Sequence, residues 1–418
     1  MRRVYLFVLF SMVLSSASFA QDGRYPILQQ NVPFTITNSG SYRVVQDLSP
    51  ASGDGSAIIV HADDVWIDLC GHTVSGRMLF PAIYQSASNK NLTVVNGTLN
   101  GNSYGIQADG SYNRFRDLHV KSCISGGIKT GAGSMISDCA IMGMNNLLSS
   151  SSAMIDVADD CQIGGCVVCN NDSQLISRWT ALKGGDGVVI HDCAVKGNTA
   201  TDKLTLIDVK KSAVLSRLSC AENKCSSDKK GVYSVVSSNA LIITDSTLED
   251  LVFTELGSVI VNSIIVKSVA NVSSKIVSGK GSVVADNDFG ESTFDTAGVV
   301  VGNDLGSLIL SGPGTLFAEN LQDDYWVSIH SYSYVMDNMF DGLLSVTNDF
   351  NRIDGNNGGN SFNPYDLTGA KNFFVRNLSF NNTYDPKNAD NDHTADTVEI
   401  SSGAVTSGRP WANLKDTD

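Results

Sequence analysis

The sequence is poor in charge, in proline and in long apolar runs. Asp, Glu, Lys and Arg account for 17% of the 418 residues, and there are 8 Pro against 38 Gly. A disordered chain would be more charged and less apolar, whereas this composition suits an all-β chain with many tight turns. The formal net charge is −14. It argues against nucleic acid as a partner and, unless a bound cation intervenes, against polyanionic sugars.

An apolar run opens the chain. Arg2 and Arg3 precede the apolar residues 4–10, and Ser18 and Ala20 stand before Gln21. A basic start, a short apolar stretch and small residues near a cleavage point are typical of a secretory signal peptide, which we place at residues 1–20. No later segment holds the roughly 18 unbroken apolar residues of a membrane helix. We therefore predict a secreted, periplasmic or cell-surface protein with no membrane span after signal removal.

One pattern recurs along the rest of the chain. An apolar residue is followed two positions later by Asp, Asn or Gly, and five positions later by another apolar residue. Successive copies begin at Val94, Phe115, Ile136, Ile163 and Ile190. A repeat of roughly 24 residues is typical of a solenoid, and apolar residues at alternate positions predict strands. Each copy should therefore wind one coil, with these five residues stacked inside.

Two segments carry a resemblance to a known family. Residues 36–44 read ITNSGSYRV, and residues 65–76 read VWIDLCGHTVSG. Both are similar to the first coils of secreted right-handed parallel β-helix repeat proteins, a subfamily of unknown function with the pectate-lyase-like fold. The resemblance implies an all-β, right-handed parallel β-helix (solenoid), although a fold shared with pectate lyases does not imply their activity. We divide the mature chain into an N-terminal cap at residues 21–56, the β-helix at residues 57–384 and a polar C-terminal tail at residues 385–418.

The sequence shows no recognisable catalytic constellation. The motif sets that resemble those of polygalacturonases and pectin esterases are absent, and the six His form no metal-binding spacing. Catalytic residues are therefore unknown, and the sequence favours a carbohydrate-facing or surface-interaction role without catalysis. Two alternatives stay open: a polysaccharide lyase or glycoside hydrolase with an unrecognised groove site, and an adhesin or structural surface protein. No cofactor is evident, although carboxylates on such a scaffold allow calcium.

A row of carboxylates recurs at one position of the repeat, namely Asp117, Asp138 and Asp192. As a functional row, these side chains would bind calcium or sugar. As turn residues, they would bond nearby backbone N–H groups. Stacked Asp and Asn are common at the turns of β-helices, so we favour the turn interpretation.

A row of thiols occupies the following position, at Cys139, Cys166 and Cys193. Small apolar thiols at one repeat position predict a buried ladder. Stacked coils hold Cβ atoms about one strand spacing apart, which is wider than a disulfide prefers. We therefore predict free thiols.

An aromatic run at residues 325–335 reads YWVSIHSYSYV. In strict strand alternation, Val327, Ile329 and Val335 face inward, and the outer face carries Trp326, His330, Tyr332 and Tyr334. Exposed aromatic rows suit the apolar faces of sugar rings or a protein partner. We therefore predict that these four residues contact a polysaccharide, a cell-surface glycan or a protein partner, unless a loop, the tail or a turn within the run covers them.

Overall fold

The structure is a computed structural model. The signal peptide predicted at residues 1–20 lies outside the residues it describes. Those residues are 23–51, 55–77, 79–101, 103–144, 153–173, 178–225, 232–237, 240–249, 251–253, 258–261, 263–266, 276–278, 282–289, 292–294, 298–305, 308–310, 314–322, 326–329, 331–340, 343–346, 350–358, 365–367, 372–380, 393–394, 397–400 and 413–416.

The chain folds as an all-β parallel β-helix, as the repeat predicted. Its described strands form a 33-stranded sheet (the large sheet), a 16-stranded sheet (the second sheet) and a 3-stranded sheet. Strands that neighbour each other in a sheet come from successive coils and pair in parallel. One short 3-10 helix, Gln29–Asn31, stands among the described strands. Within the described part of the chain, no helix is long and apolar enough to cross a membrane.

The large sheet has two arms, because most coils enter it twice with a bend between the two strands. Two long strands, Leu92–Asn100 and Arg114–Lys121, span both arms. The first arm contains Tyr25–Ile27, Gly40–Val44, Val65–Asp68, Met135–Ser137, Gln162–Gly164, Val189–His191, Val214–Ser216, Ile242–Thr244, Val259–Val261, Val283–Ala285, Val299–Val301, Leu316–Ala318, Tyr334–Met336, Arg352–Asp354, Phe373–Val375 and His393–Thr394. The second arm contains Thr73–Ser75, Ala140–Met142, Val167–Cys169, Ala194–Lys196, Ser219–Ala221, Thr247–Glu249, Ile264–Val266, Asp288–Phe289, Asp304–Leu305, Leu321–Gln322, Met339–Phe340, Asn357–Gly358, Leu378–Phe380, Thr397–Ile400 and Asn413–Asp416.

The second sheet takes one strand from each coil, and this strand follows the second arm in chain order. Its strands are Phe34–Ile36, Ile58–Val60, Ile83–Gln85, Ile106–Ala108, Gly126–Thr130, Ala153–Val157, Arg178–Gly184, Lys203–Val209, Val232–Ser237, Leu251–Phe253, Ile276–Ser278, Ser292–Phe294, Leu308–Leu310, Trp326–Ile329, Leu343–Val346 and Tyr365–Leu367. The 3-stranded sheet is made of Asp172–Ser173, Thr199–Ala200 and Lys224–Cys225.

The predicted apolar ladder is confirmed. Phe115 pairs in register with Val94 and Ile136, and Ile163 pairs with Ile136 and Ile190. All five side chains are buried in the hydrophobic core. Burial of this kind stabilises by roughly 25 cal/mol per Å² of apolar surface, so the repeat itself builds the core.

The segments expected at the two ends add strands to the large sheet. In the region predicted as a cap, Tyr25–Ile27 pairs in parallel with Gly40–Val44. In the region predicted as a tail, Asn413–Asp416 pairs with Leu378–Phe380 and with Thr397–Ile400. These pairings cover backbone groups that an open edge strand would offer to other chains.

Two buried ladders occupy the bend between the arms. In the earlier coils it holds Cys139, Cys166 and Cys193, which are buried and free, as predicted. Each thiol donates to a backbone carbonyl two residues earlier, for example Cys139 Sγ to Ser137 O at 3.2 Å. In the later coils the same position holds six buried asparagines, a row that was not predicted from the sequence: Asn287, Asn303, Asn320, Asn338, Asn356 and Asn377.

The asparagine ladder satisfies its own buried polar groups. Asn303 Nδ2 donates to Asn320 Oδ1 at 2.9 Å, and Asn320 Nδ2 donates to Asn338 Oδ1 at 2.9 Å. Asn320 Nδ2 also lies within bonding distance of the carbonyls of Val300 and Ala318, while the Asn303 backbone N–H donates to Asn320 Oδ1. A buried amide with this many partners is stabilising only while every partner is present.

We expect Asn320→Ala to lower the free energy of unfolding by about 2 kcal/mol or more. Removal of the amide takes the acceptor from the buried Asn303 backbone N–H and a donor from the carbonyls of Val300 and Ala318. A buried group left without its partner costs about 1–3 kcal/mol. Chemical denaturation would measure the loss. Asn357→Ala is the control, because Asn357 is half-buried and its side-chain oxygen has no hydrogen-bond partner. Equal stability of the two variants would contradict a ladder that holds the coils together.

Candidate functional site

The three predicted carboxylates lie at the bend between the arms. Asp117, Asp138 and Asp192 have left-handed φ angles of 56°, 54° and 55°. The equivalent residue in the coil between the last two is Gly165, with φ of 62°. Asp and Gly tolerate this conformation better than most residues. The left-handed backbone conformation therefore explains why Asp or Gly occupies this position. The binding role of these carboxylates stays a prediction.

A cluster of polar side chains surrounds Asp192. Arg217 binds its carboxylate through both Nε, at 2.6 Å, and Nη2, at 2.8 Å. His191 Nδ1 lies 2.7 Å from Asp192 Oδ2, and His191 Nε2 lies 2.7 Å from Gln162 Nε2. The hydrogen bonds from Arg217, and next from His191, hold the pKa of Asp192 well below its usual range. This carboxylate is ionised and already bound by the protein.

The carboxylates do not assemble a metal site. Among the residues that the structure describes, no group of three or more His, Cys, Asp and Glu side chains could hold a metal ion. Asp117 pairs instead with Arg116 at 2.9 Å.

The aromatic run does not form the single alternating strand that its sequence predicted. Trp326–Ile329 belongs to the second sheet, and Tyr334–Met336 belongs to the large sheet. Tyr332 lies between them with a left-handed φ of 61°, so the chain turns a corner within the run. The expectation of one continuous strand through Trp326, His330, Tyr332 and Tyr334 is therefore wrong, while their role in binding stays a prediction. His330 and the side chain of Trp326 lie outside the described residues.

The inward half of that prediction is confirmed. Val327, Ile329 and Val335 are completely buried. Each strand keeps its own alternation on either side of the corner, because successive side chains of a strand point to opposite faces. Tyr332 and Tyr334 accordingly remain exposed, at 59% and 52% of their surface.

The exposed rings belong to a surface that we call the aromatic corner, made of Tyr332, Tyr334, Phe350, Arg352 and Phe373. Tyr332 and Phe350 come from adjacent coils, and their rings stack with centroids 5.2 Å apart and planes only 4° from parallel. Tyr334, Arg352 and Phe373 are register neighbours on the first arm. The Arg352 guanidinium lies 5.6 Å from the centroid of the Phe373 ring.

A buried carboxylate fixes the arginine of the aromatic corner. Asp354 accepts from Arg352 Nη2 at 2.7 Å and from Arg376 Nε at 2.6 Å. Burial alone would raise the pKa of Asp354, but the hydrogen bonds from Arg376 and Arg352 lower it below the usual range. Arg352 is thus held in one orientation beside the rings, with 43% of its side chain exposed.

A second polar surface, which sequence reasoning missed, runs along the second sheet. The next-to-last residues of six successive strands stack in register and form what we call the axial stripe: Tyr84, Gln107, Lys129, Asp156, Lys183 and Asp208. All six are half-buried, while the residues on either side of each in its strand are mostly buried. The signal in the sequence is one polar residue between apolar neighbours, as in Ile155-Asp156-Val157.

The stripe has few short contacts among its own charges. Lys129 Nζ lies 3.2 Å from Asp109 Oδ1, and Gln107 Nε2 donates to Asp109 Oδ2 at 2.9 Å. Lys183 Nζ stands 4.0 Å from Asp156 Oδ2, which is too long for a hydrogen bond.

Both carboxyl groups of the stripe have raised pKa values. Burial raises the pKa of Asp156 by more than Lys183 and Lys129 lower it. Burial likewise raises the pKa of Asp208, with Lys183 opposing the effect. Perturbed carboxyl groups in a shared surface are typical of functional sites, although structural ion pairs perturb pKa values too.

Comparisons with known proteins give no family for the chain. No protein-family model matches it, and no curated protein matches it. Among solved structures, it is similar to the mannuronan C-5 epimerase AlgE6 A-module of Azotobacter vinelandii. The identity is 12%, and the match covers 82% of this chain and 91% of that chain with a TM-score of 0.26. A similarity this weak carries no argument about a shared site.

If the left-handed backbone at the bend explains the carboxylate row, stability should depend on how well the residue at that position tolerates left-handed φ. We expect Asp138→Gly to leave the free energy of unfolding nearly unchanged, because glycine occupies the same position at Gly165. Asp138→Val should lower it by about 1–2 kcal/mol, since a β-branched residue is strained at left-handed φ.

Denaturation curves of the two variants, with Ser137→Val as a control in the preceding strand, would measure these differences. If Asp138→Val proved as stable as the natural protein, that result would contradict the backbone explanation and favour a role in binding.

Proposed function

We propose that this protein is an exported carbohydrate-binding protein that holds sugar rings on the aromatic corner. The observation that carries the proposal is the stacked pair Tyr332 and Phe350, which two adjacent coils expose side by side. Sugar rings have an apolar face, which suits a flat aromatic surface. Arg352, fixed by Asp354, places guanidinium N–H donors beside the rings where hydroxyl groups of a sugar could accept them.

The backbone conformation of Tyr332 and Phe350 supports a binding role for their rings. Tyr332 and Phe350 have φ of 61° and 63°, a conformation that costs bulky residues on the order of 1–3 kcal/mol. Other coils often place a better suited residue at this corner, such as Asn91, Gly133 or Gly187. Tyr112 also occupies it, but between Asn91 and Gly133, so its neighbours at the corner are not aromatic. These two adjacent aromatic residues therefore lower the stability of the folded state, and burial does not compensate for this loss because both rings remain largely exposed. A role in ligand binding would explain why they are present.

The partner that fits this surface is a polysaccharide or a cell-surface glycan. The aromatic corner offers stacking area and donors, and its five residues include no Asp, Glu, His, Cys or Lys. The proposal therefore assigns binding and no catalysis. A location outside the cytoplasm is part of the proposal and depends on the signal peptide predicted at residues 1–20.

We expect Tyr332→Ala and Phe350→Ala each to weaken glycan binding by about tenfold or more, because a buried aromatic face contributes roughly 1.5–3 kcal/mol. Unfolding free energies should change by less than about 0.5 kcal/mol, as is usual for exposed positions. Affinity electrophoresis against cellulose derivatives, mannan, xylan and soluble chitin would measure binding, and denaturation would measure stability.

Tyr112→Ala is a closely matched control for Tyr332→Ala. Tyr112 is also 59% exposed and has φ of 59° at the same kind of corner, and its ring lies over Gly133. Its replacement should leave glycan binding unchanged. Loss of binding in all three variants, or in none of them, would contradict the assignment to the aromatic corner.

A further inference from the structure

We propose that the axial stripe is a second, separate binding site, which takes the hydroxyl groups of a neutral polysaccharide chain lying along the solenoid axis. This site does not depend on the aromatic corner, because the two surfaces share no residue and lie in different coils. Its core is Lys129, Asp156, Lys183 and Asp208, with Tyr84 and Gln107 continuing the same row.

The spacing of the stripe suits hydroxyl groups. Neighbouring strands of a sheet lie about 4.8 Å apart, so the row presents an ammonium donor and a carboxylate acceptor in alternate coils. A hydroxyl group both donates and accepts hydrogen bonds. It can therefore accept from Lys183 and donate to Asp156, whose charged groups are 4.0 Å apart and do not bond each other.

The ion pairs that stabilise this protein differ from the charged groups of the axial stripe in distance and in the direction of the carboxyl pKa shift. Arg24–Asp68, Arg217–Asp192 and Arg376–Asp354 close to 2.6–2.7 Å. In each of those three pairs, burial raises the pKa of the carboxyl group. Hydrogen bonds, including those from the arginine, lower it by more, so the pKa falls below its usual range. The Asp156 and Asp208 carboxyl groups lose water without gaining such a partner, and their pKa values rise. Hydrogen bonds from a ligand would supply what the protein does not.

The charge balance favours neutral over acidic glycans. The stripe and its flanks hold three lysines and three aspartates: Lys129, Lys183, Lys203, Asp109, Asp156 and Asp208. A surface with no local excess of charge does not attract a polyanion, and the net charge of −14 repels one. Binding to a neutral chain should also respond little to salt, since short contacts with a neutral ligand are weakly screened.

Aromatic rings stand beside the charged row. The ring of Tyr104 occupies space over Gly126, where an added Cβ would lie 2.6 Å from Tyr104 Cε1. Burial and then the Asp156 carboxylate raise the pKa of Tyr104, so its hydroxyl stays protonated and can donate. Near the other end of the row, Lys203 Nζ lies 4.2 Å from the centroid of the Tyr233 ring.

The test compares Asp156→Asn and Lys183→Met in the full-length protein. Against a panel of neutral glucan, mannan and xylan, and acidic alginate and pectate, we expect the natural protein to bind neutral chains at both low and high salt. Each variant should lose about tenfold or more of that affinity, the usual effect of losing a hydrogen bond to a charged group. The melting temperature of Asp156→Asn should stay equal or rise, because the folded state disfavours the Asp156 charge at neutral pH.

Asp288→Asn and Lys196→Met are matched controls on exposed positions of the second arm, and both should bind normally. Tyr332→Ala, measured in parallel, separates this site from the aromatic corner. The proposal would be overturned by unchanged affinity in both stripe variants, by salt-sensitive binding to acidic chains alone, or by no binding at all in the natural protein. A marked fall in the melting temperature of Asp156→Asn would also overturn it, since Asp156 and Lys183 would then be a structural pair.

Discussion

The hydrogen bonds that join each coil to the next are the constraint on which the structure depends. They run between backbones in register, so every coil must repeat the same bend at the same place. At the bend a residue adopts left-handed φ, and the following residue points into the core, where a backbone amide and carbonyl are close by. Asn320 shows the solution in the later coils: its amide bonds both to those backbone groups and to the amides above and below. In the earlier coils the thiol of Cys166 fills the same position with less hydrogen bonding.

The fold could be predicted from sequence because its determinants are local and periodic. The spacing of Val94, Phe115 and Ile136 identified the inward ladder, and the register of the coils agrees with it. The conformation of the bend could be inferred from Asp and Gly at one position. The asparagine ladder was also visible, since Asn follows the bend residue in Asp286-Asn287 and Asp337-Asn338. It was missed because Asn beside Asp is equally typical of an ordinary exposed turn.

The candidate sites were harder to predict, because each depends on which residues neighbouring coils bring together. The aromatic run suggested one strand, but the left-handed Tyr332 breaks it, and alternation in sequence cannot place such a corner. Phe350 is distant in sequence and becomes the partner of Tyr332 only through the register of the coils. The axial stripe is an even clearer case: Lys129, Asp156 and Lys183 are isolated polar residues in separate strands, and only stacking makes them a row.

The geometry of a solenoid also limits what such surfaces can bind. A strand of three residues offers only one or two outward side chains, so a single coil cannot surround a small molecule. Groups that act together must come from successive coils, and they line up along the axis at about one strand spacing each. From Gln107 to Asp208 the stripe crosses four such spacings, or about 19 Å. A ligand that contacts all of it must be extended and must repeat its hydrogen-bonding groups, which is the chemistry of a polysaccharide chain and not of a single sugar.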